Sequence, residues 1–479
     1  MLPLILNSLL VTAAADASLA CPPQSLEVML FNIEYGGDLI DFRKVVEAIR
    51  AGGAPVVAIE EAWAQMPRLA NALGWPYYDK RTQLVSRLPL VERRGEHAAY
   101  TLVETSPGCA VAIVNVHLPS DPYGPDRMRA GAGWAEVEAL ERKTRLASIL
   151  GPLAEIRSVA ATGMPVFLAG DFNAPSFRDD GQPWPVSQAV EAAGLRDSYR
   201  EVHPDPKAAP GFTWWAARPQ VKGWNPDPKD AQIRIDLLYS TGAAKATASR
   251  IIGERGSPGV AIGIEPWPSD HRAVVSKFDI TPAPLPALVA VAHQGVTAGE
   301  ELAVQFHAVV DGGSVVLLPV GGGPRTSWLG SRTAFAKPGL GTLRFPTGGV
   351  APGPYEAALV NAAGAVISRT PFWIEPRDAR PQIGTDRASY KAGDAITVAW
   401  RHAPGNRWDW VGVYPAGADP KGGDPGVWRH TKATIAGTAV LDANADGAGW
   451  PLAPGRYAVH LLLDDAYDSL AEASFEVLP

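Results

Sequence analysis

Asp171 and Asn173 stand two residues apart in the stretch Pro165–Asn173, PVFLAGDFN. A carboxylate and a carboxamide thus follow the apolar run Pro165–Ala169, which is short enough to be a buried strand ending at Gly170. The carboxyl end of a strand is where α/β sheets place ligands. Gly-Asp-Phe-Asn also suits an ordinary turn, so this stretch alone leaves both readings open. Five further stretches are built in the same way, an apolar run beside polar groups that bind metal or phosphate. Leu26–Phe31 leads to Asn32 and Glu34, Pro55–Ile59 to Glu60 and Glu61, and Val111–Val116 to His117. Arg234 and Asp236 open the run Leu237–Tyr239, and Ser269, Asp270 and His271 precede Ala273–Val275. Oxygen-rich groups of this kind suit a hard cation, which one or two carboxylates hold while several waters remain bound.

The motifs, in order, are Asn at the first strand, Glu-Glu at the second, N-x-H-L at 115–118, G-D-F-N at 170–173, R-I-D at 234–236 and S-D-H at 269–271. Together they resemble the endonuclease/exonuclease/phosphatase superfamily, the deoxyribonuclease-I-like fold, over residues 24–281. The resemblance implies hydrolysis of a phosphate ester by activated water, with Mg2+ or Mn2+ as cofactor. It implies that Glu61 ligates the metal, with Asn32 beside it and Asp270 close by. Asp171 would hold the attacking water and Asn173 would position water or phosphate. His271 would contact the scissile phosphate, oriented by Asp236, and His117 would donate to the phosphate or the leaving group. Whether an Asp or a His is the base stays open. Glu60 falls where many relatives have Gln, and is expected to be a surface acid pointing to the opposite face. Glu34, two residues after Asn32, is near enough in sequence to reach the metal's water shell, a role that is not favoured. Tyr123, Arg127 and Arg129 are either a phosphate clamp or a solvated loop, and the loop is favoured. Thr213-Trp214-Trp215 either lines the cleft or packs in the core.

To bring these residues together, the chain from 24 to 281 must alternate strands and helices. Phe42–Ala51 has helical spacing of Val45, Val46 and Ile49, and Ala135–Ala160 reads as a long amphipathic helical region broken near Gly151-Pro152. Alternation of this kind argues for α/β layering. With the resemblance, the expected fold is an α/β (α+β) four-layer sandwich of two facing β-sheets flanked by helices, followed by two all-β Ig-like sandwiches. TPAPLP at 281–286 is a linker signature, after which helical patterns vanish. Three segment pairs then recur about one immunoglobulin-sized domain apart: ELAVQF with AITVAW, SVVLLPVGG with WVGVYPAGA, and Ala351–Tyr355 with Ala453–Tyr457. DWVGVYPAG also resembles modules of the SKICH type. The expected domains are residues 284–377 and 378–479. They are expected to stand apart from the chemistry, so that a chain ending near Ile280 keeps its activity on a small soluble phosphodiester. Trp408, Trp410 and Trp428 are candidate exposed aromatics, with Trp410 assigned to packing.

The 479 residues are 46% hydrophobic and 19% charged, with a net charge of −7. Residues 288–479 hold 18 acidic and 15 basic side chains, so neither half carries the basic footprint of a tight nucleic-acid binder. The substrate is left open among nucleic acid, a phospholipid headgroup and small phosphodiesters or monoesters. The rival reading, a binding or adhesion protein with a lapsed catalytic domain, is disfavoured by the complete motif set. LPLILNSLLV followed by small residues makes residues 1–20 a candidate signal peptide, and implies a secreted, periplasmic or cell-surface protein. No other stretch has the length of a membrane span. Cys21 and Cys109, the two cysteines, pair or stay free on this reading, with a lipidated Cys21 the third option.

Overall fold

The structure, a computed structural model, describes residues 20–479 except 95–98, 224, 228–229, 292, 310–311, 324–331, 335–338, 424 and 448; the signal-peptide reading therefore lies almost wholly outside the described residues. The strand Gln24–Asn32 shows why the first domain is layered. Leu26, Val28 and Leu30 face one side and Met29 and Phe31 the other, and all five are buried. A strand buried on both faces must read as a nearly continuous apolar run. It pairs parallel with Val56–Glu60 and antiparallel with Ala273–Ile280. These strands lie within a seven-stranded sheet that runs from Val260–Ile264 at one edge to Tyr77–Asp79 at the other. A second sheet, centred on Cys109–His117, Val166–Asp171 and Asp236–Thr241, faces it across a core that includes Val28, Val56, Ile113 and Phe167.

Helices cover the outer faces. Phe42–Gly52 and Met66–Leu73 pack Val45, Ile49 and Leu69 against the first sheet. Asp41 caps the first of these helices by accepting from Arg43 N–H, and Gly53 ends it in the left-handed conformation. Ala147–Ala160 packs Ile149, Leu153 and Ile156 on the second sheet, joined by Pro185–Ala192. The helical region does not break at Gly151-Pro152 as its sequence suggests. The helix runs through the buried Pro152, held by the sheet beneath it, and the irregularity is a wide π turn at Arg142–Leu146. The layers are helix, sheet, sheet, helix, the α+β sandwich the sequence implied.

Two all-β units follow. In the first, a three-stranded sheet of Leu288–Val291, Glu301–Ala308 and Gly339–Pro346 faces a five-stranded sheet around a core containing Val304, Phe306, Leu317 and Phe345. In the second, a three-stranded sheet centred on Ile396–Arg401 faces five strands around Val398, Trp400, Val411 and Phe475. Glu301–Ala308 and Ile396–Arg401 are each the central strand of three. Ser314–Pro319 and Trp410–Pro415 occupy the same place in the five-stranded sheets. The hydroxyls of Tyr355 and Tyr457 donate to Ala351 O at 2.7 Å and Ala453 O at 2.8 Å, four residues back in each case. Trp408 and Trp410 are buried and Trp428 is half-buried, so Trp408 is not the exposed aromatic its sequence offered, while Trp410 packs as expected.

The first β unit is continuous with the four-layer sandwich. Ala283–Pro284 pairs with Cys109–Ala110, and Leu285, Leu288 and Ala290 join the core cluster of Val91, Leu102 and Ala110. Cys21 and Cys109 form a disulfide that ties the start of the first strand to the same place. Among the described residues, no helix is long and apolar enough to cross a membrane.

Candidate active site

Strand register gathers the polar ends. Asn32 lies opposite Glu60, His117 opposite Asp171, and Asp171 opposite Asp236. Trp214 bridges to His271 just before Ala273–Ile280. The strand of the GDFN motif does not stop at Gly170 but runs through it to Asp171. Gly170 is needed there because its φ is 149°, and a Cβ would sit 1.9 Å from Val116 O on the neighbouring strand.

Asp171 is the centre. Its Oδ1 accepts from Asn173 N–H at 2.8 Å and its Oδ2 from Asn32 Nδ2 at 3.2 Å. That same Oδ2 is 3.7 Å from Nε2 of His117 and 3.7 Å from Nε2 of His271. Burial pushes the Asp171 carboxyl up, the two histidines pull it back and Asp236 adds to the rise, leaving it at about 6. His271 Nδ1 donates to Asp236, with oxygens at 2.9 and 3.1 Å. A carboxylate only accepts, so Nδ1 carries the proton and Nε2 faces the centre. Burial opposes the His271 imidazolium, but Asp236, Asp270 and Asp171 outweigh it and hold its pKa well above the ordinary value. The backbone beneath is fixed by Thr213, whose Oγ1 accepts from both Ile235 N–H and Asp236 N–H.

The expected metal side lies next to this pair. Glu61 accepts from Asn32 Nδ2 at 3.0 Å and from Tyr35 N–H at 2.9 Å. Asn32 was expected as a metal ligand. Its nitrogen faces Glu61 and Asp171, and its oxygen accepts from Glu34 N–H at 3.0 Å, so as oriented it bridges two carboxylates. Asp270 Oδ2 accepts from Trp214 Nε1 at 3.3 Å, while its Oδ1 is buried with no hydrogen-bond partner. Glu34 accepts from Asp270 N–H and from Nε and Nη2 of Arg218, at 2.6 Å each for the two guanidinium nitrogens. Burial and Asp270 nevertheless push Glu34 up to about 8. Asp171, Asp236 and His271 each offer a ligand atom, all within 4.8 Å of one another. So many acids facing so few cations is a fit for a divalent ion, which would relieve their repulsion.

Other expectations changed. Glu60 does not point away: it is 1% exposed, both its oxygens lack a hydrogen-bond partner, and burial with Asp236 and Asp171 nearby pushes its carboxyl well up. Strand alternation assigned it to the wrong face because the acids converge between the two sheets rather than on one surface. Asn173 spends its nitrogen on Leu118 O at 3.0 Å, fastening the chain just after His117. Arg129 is engaged by Asp126 and Asp230, away from any phosphate clamp. Tyr123 turns inward, 5.9 Å from the Trp214 ring, over a buried Arg145 that holds Ser120 O and Pro122 O. Arg218 and Asp465, which reach Glu34 and His117, carried no motif in the sequence.

Residues 29–271, half of the chain, match the Endonuclease/Exonuclease/phosphatase family. An uncharacterised protein of Caenorhabditis elegans is 26% identical over 253 residues, which are 45% of this chain and 79% of that one. An endonuclease/exonuclease/phosphatase structure from Beutenbergia cavernae is 18% identical with a TM-score of 0.35, covering 73% of this chain and 100% of its own. The Xenopus laevis APE2 catalytic domain is 15% identical with a TM-score of 0.35, covering 54% of this chain and 94% of its own. The sequence match spans the same strands whose ends meet at Asp171, and on that ground the chain belongs to the endonuclease/exonuclease/phosphatase family, hydrolases of phosphate esters that use divalent metals.

Proposed function

We propose that this protein is a divalent-cation-dependent phosphodiesterase working outside the cytoplasm. The observation that carries the reading is Asp171 Oδ2 at 3.7 Å from Nε2 of both His117 and His271. A carboxylate between two imidazoles can take the proton of an attacking water while the imidazoliums donate to phosphoryl and leaving oxygens. Glu61 and Asp270 would hold Mg2+ or Mn2+, with Asn32 anchoring Glu61; the unpartnered, buried Asp270 Oδ1 supports that placement. When bound, the ion supplies Lewis-acid stabilisation of the phosphoryl charge.

A diester is favoured over a monoester by the cations at hand. Arg218 is bound to Glu34, and Arg145 to Glu141 and backbone carbonyls, so both are already committed rather than set out for a dianion. The net charge of −7 favours a small or locally presented diester over long nucleic acid. The apolar N-terminal stretch and the Cys21–Cys109 disulfide support an oxidising compartment.

The test is hydrolysis of bis-p-nitrophenyl phosphate, p-nitrophenyl phosphate, plasmid DNA, RNA, sphingomyelin and phosphoinositides, with Mg2+ and with excess chelator. The expected outcome is cation-dependent cleavage of the diester, weaker cleavage of the monoester, and loss of activity at low metal in Glu61→Gln. Full activity in chelator, or a preference for the monoester, overturns the reading.

A further inference from the structure

The C-terminal β unit reaches into the active site. Its loop between the strands Gly455–Leu462 and Ser469–Leu478 lies against the rim of the catalytic layers. Asp465 Oδ2 is 3.5 Å from His117 Nδ1, the nitrogen that points away from Asp171. The two side chains are 23% and 19% exposed, so the pair is partly withdrawn from water but open to a ligand. Tyr467 meets the Trp63 ring edge-on at 5.6 Å, and Trp63 meets Tyr35 at 4.7 Å. Asp464 takes a hydrogen bond from Ala64 N–H, beside Glu61. From a neighbouring loop, Arg407 Nη1 donates to Asn115 O at 3.0 Å, two residues before His117. The loop is fastened to its own unit: Asp464 N–H donates to Asp409 Oδ1 at 3.0 Å, Asp465 N–H to Trp408 O at 2.8 Å, and Trp410 Nε1 to Ala466 O at 3.1 Å.

The arrangement at His271 shows what this does. There, Asp236 holds Nδ1 and aims Nε2 at Asp171. At His117 the same two-sided geometry exists, but the outer carboxylate comes from the far end of the chain. We propose that Asp465 is a positioning residue of the phosphodiesterase site, completing a second carboxylate–histidine pair that the catalytic layers alone lack. The Tyr35–Trp63–Tyr467 wall then belongs to the substrate rim, built from both units. This rests on the phosphodiesterase reading and deepens it. An imidazole held at Nδ1 is fixed in orientation with Nε2 aimed at the site, so loss of the carboxylate costs turnover more than binding.

The experiment uses the full chain with bis-p-nitrophenyl phosphate and saturating Mg2+, comparing wild type with Asp465→Ala and Asp465→Glu. The expected result for Asp465→Ala is a fall in kcat of about 10- to 100-fold, a KM within about twofold, and an unchanged unfolding midpoint, because Asp465 lies in a loop outside either core. Asp465→Glu is expected to recover part of kcat. Wild-type kcat in Asp465→Ala overturns the proposal. So does a rise in kcat, which would make the loop a brake. A drop that follows the folded fraction, without rescue by Glu, also overturns it. A wild-type chain inactive on every diester overturns the phosphodiesterase reading itself, and is told apart because no variant comparison then arises.

Discussion

Buried acids set the behaviour of this protein at the residue scale. Glu34, Glu60, Asp171 and Asp270 all have carboxyls displaced upward, chiefly by burial and then by neighbouring acids. Ordinarily such burial without a cation is unfavourable. In the loop of the C-terminal β unit, Asp464 is pushed up to about 8 by burial and by Asp409 and Asp465, and its Oδ1 has no hydrogen-bond partner. Asp409 is held at about 6 by burial against its hydrogen bonds. An acid whose folded value exceeds the unfolded one binds its proton more tightly in the native state. Its stabilising contribution is therefore complete below about pH 4 and is lost as pH rises toward its folded value. The unfolding midpoint is expected to fall between pH 5 and pH 8, and Asp464→Asn to flatten that slope. Thermal scans across the range check this; an unchanged slope would mean that Asp464 titrates normally.

Single strands, at the next scale, hold the site because their registers are narrow. Val116 O of the strand Cys109–His117 passes so close to Gly170 that only a residue without Cβ fits. That close approach places His117 level with Asp171. Gly170→Ala should cost about 3 kcal/mol through overpacking against backbone together with a strained positive φ. It should also depress activity by shifting one strand against the other. Denaturant titration with parallel diesterase assays checks both; a neutral variant would show that the two strands separate freely.

Across the whole molecule, the three units depend on each other. Leu285, Leu288 and Ala290 cover Val91, Leu102 and Ala110, so a chain ending near Ile280 exposes an apolar face of the catalytic layers. The expectation of an independent catalytic domain thus gives way to a different prediction. A chain ending near Ile280 should have a lower unfolding midpoint than the full chain and bind a hydrophobic dye. A chain ending near Arg377 should keep the catalytic layers folded yet lose at least as much kcat as Asp465→Ala, since it lacks the whole loop that meets His117. Circular dichroism, dye binding and diesterase rates distinguish the two. Full activity in the shorter chain would mean that neither β unit builds the site.

The sequence alone determined the layers and the order of the chemistry. Leu26–Phe31, Pro55–Ile59 and Val111–Val116 are apolar because both faces of their strands are buried, and that requirement is local enough to read one stretch at a time. The polar residues at their ends were legible for the same reason. What the sequence left undecided was direction. Glu60 was assigned outward by alternation, yet it is buried beside Asp171 and Asp236 of the facing sheet. Asn32 offers nitrogen rather than oxygen to its neighbours because Glu34 N–H occupies the oxygen. Arg218 and Asp465 have no periodic or motif signal, since their partners lie far away in the chain and only packing brings them together. Strand patterning is fixed by nearest neighbours and solvent, whereas the pairing of a carboxylate with a particular histidine depends on how whole units dock, which tertiary structure alone decides.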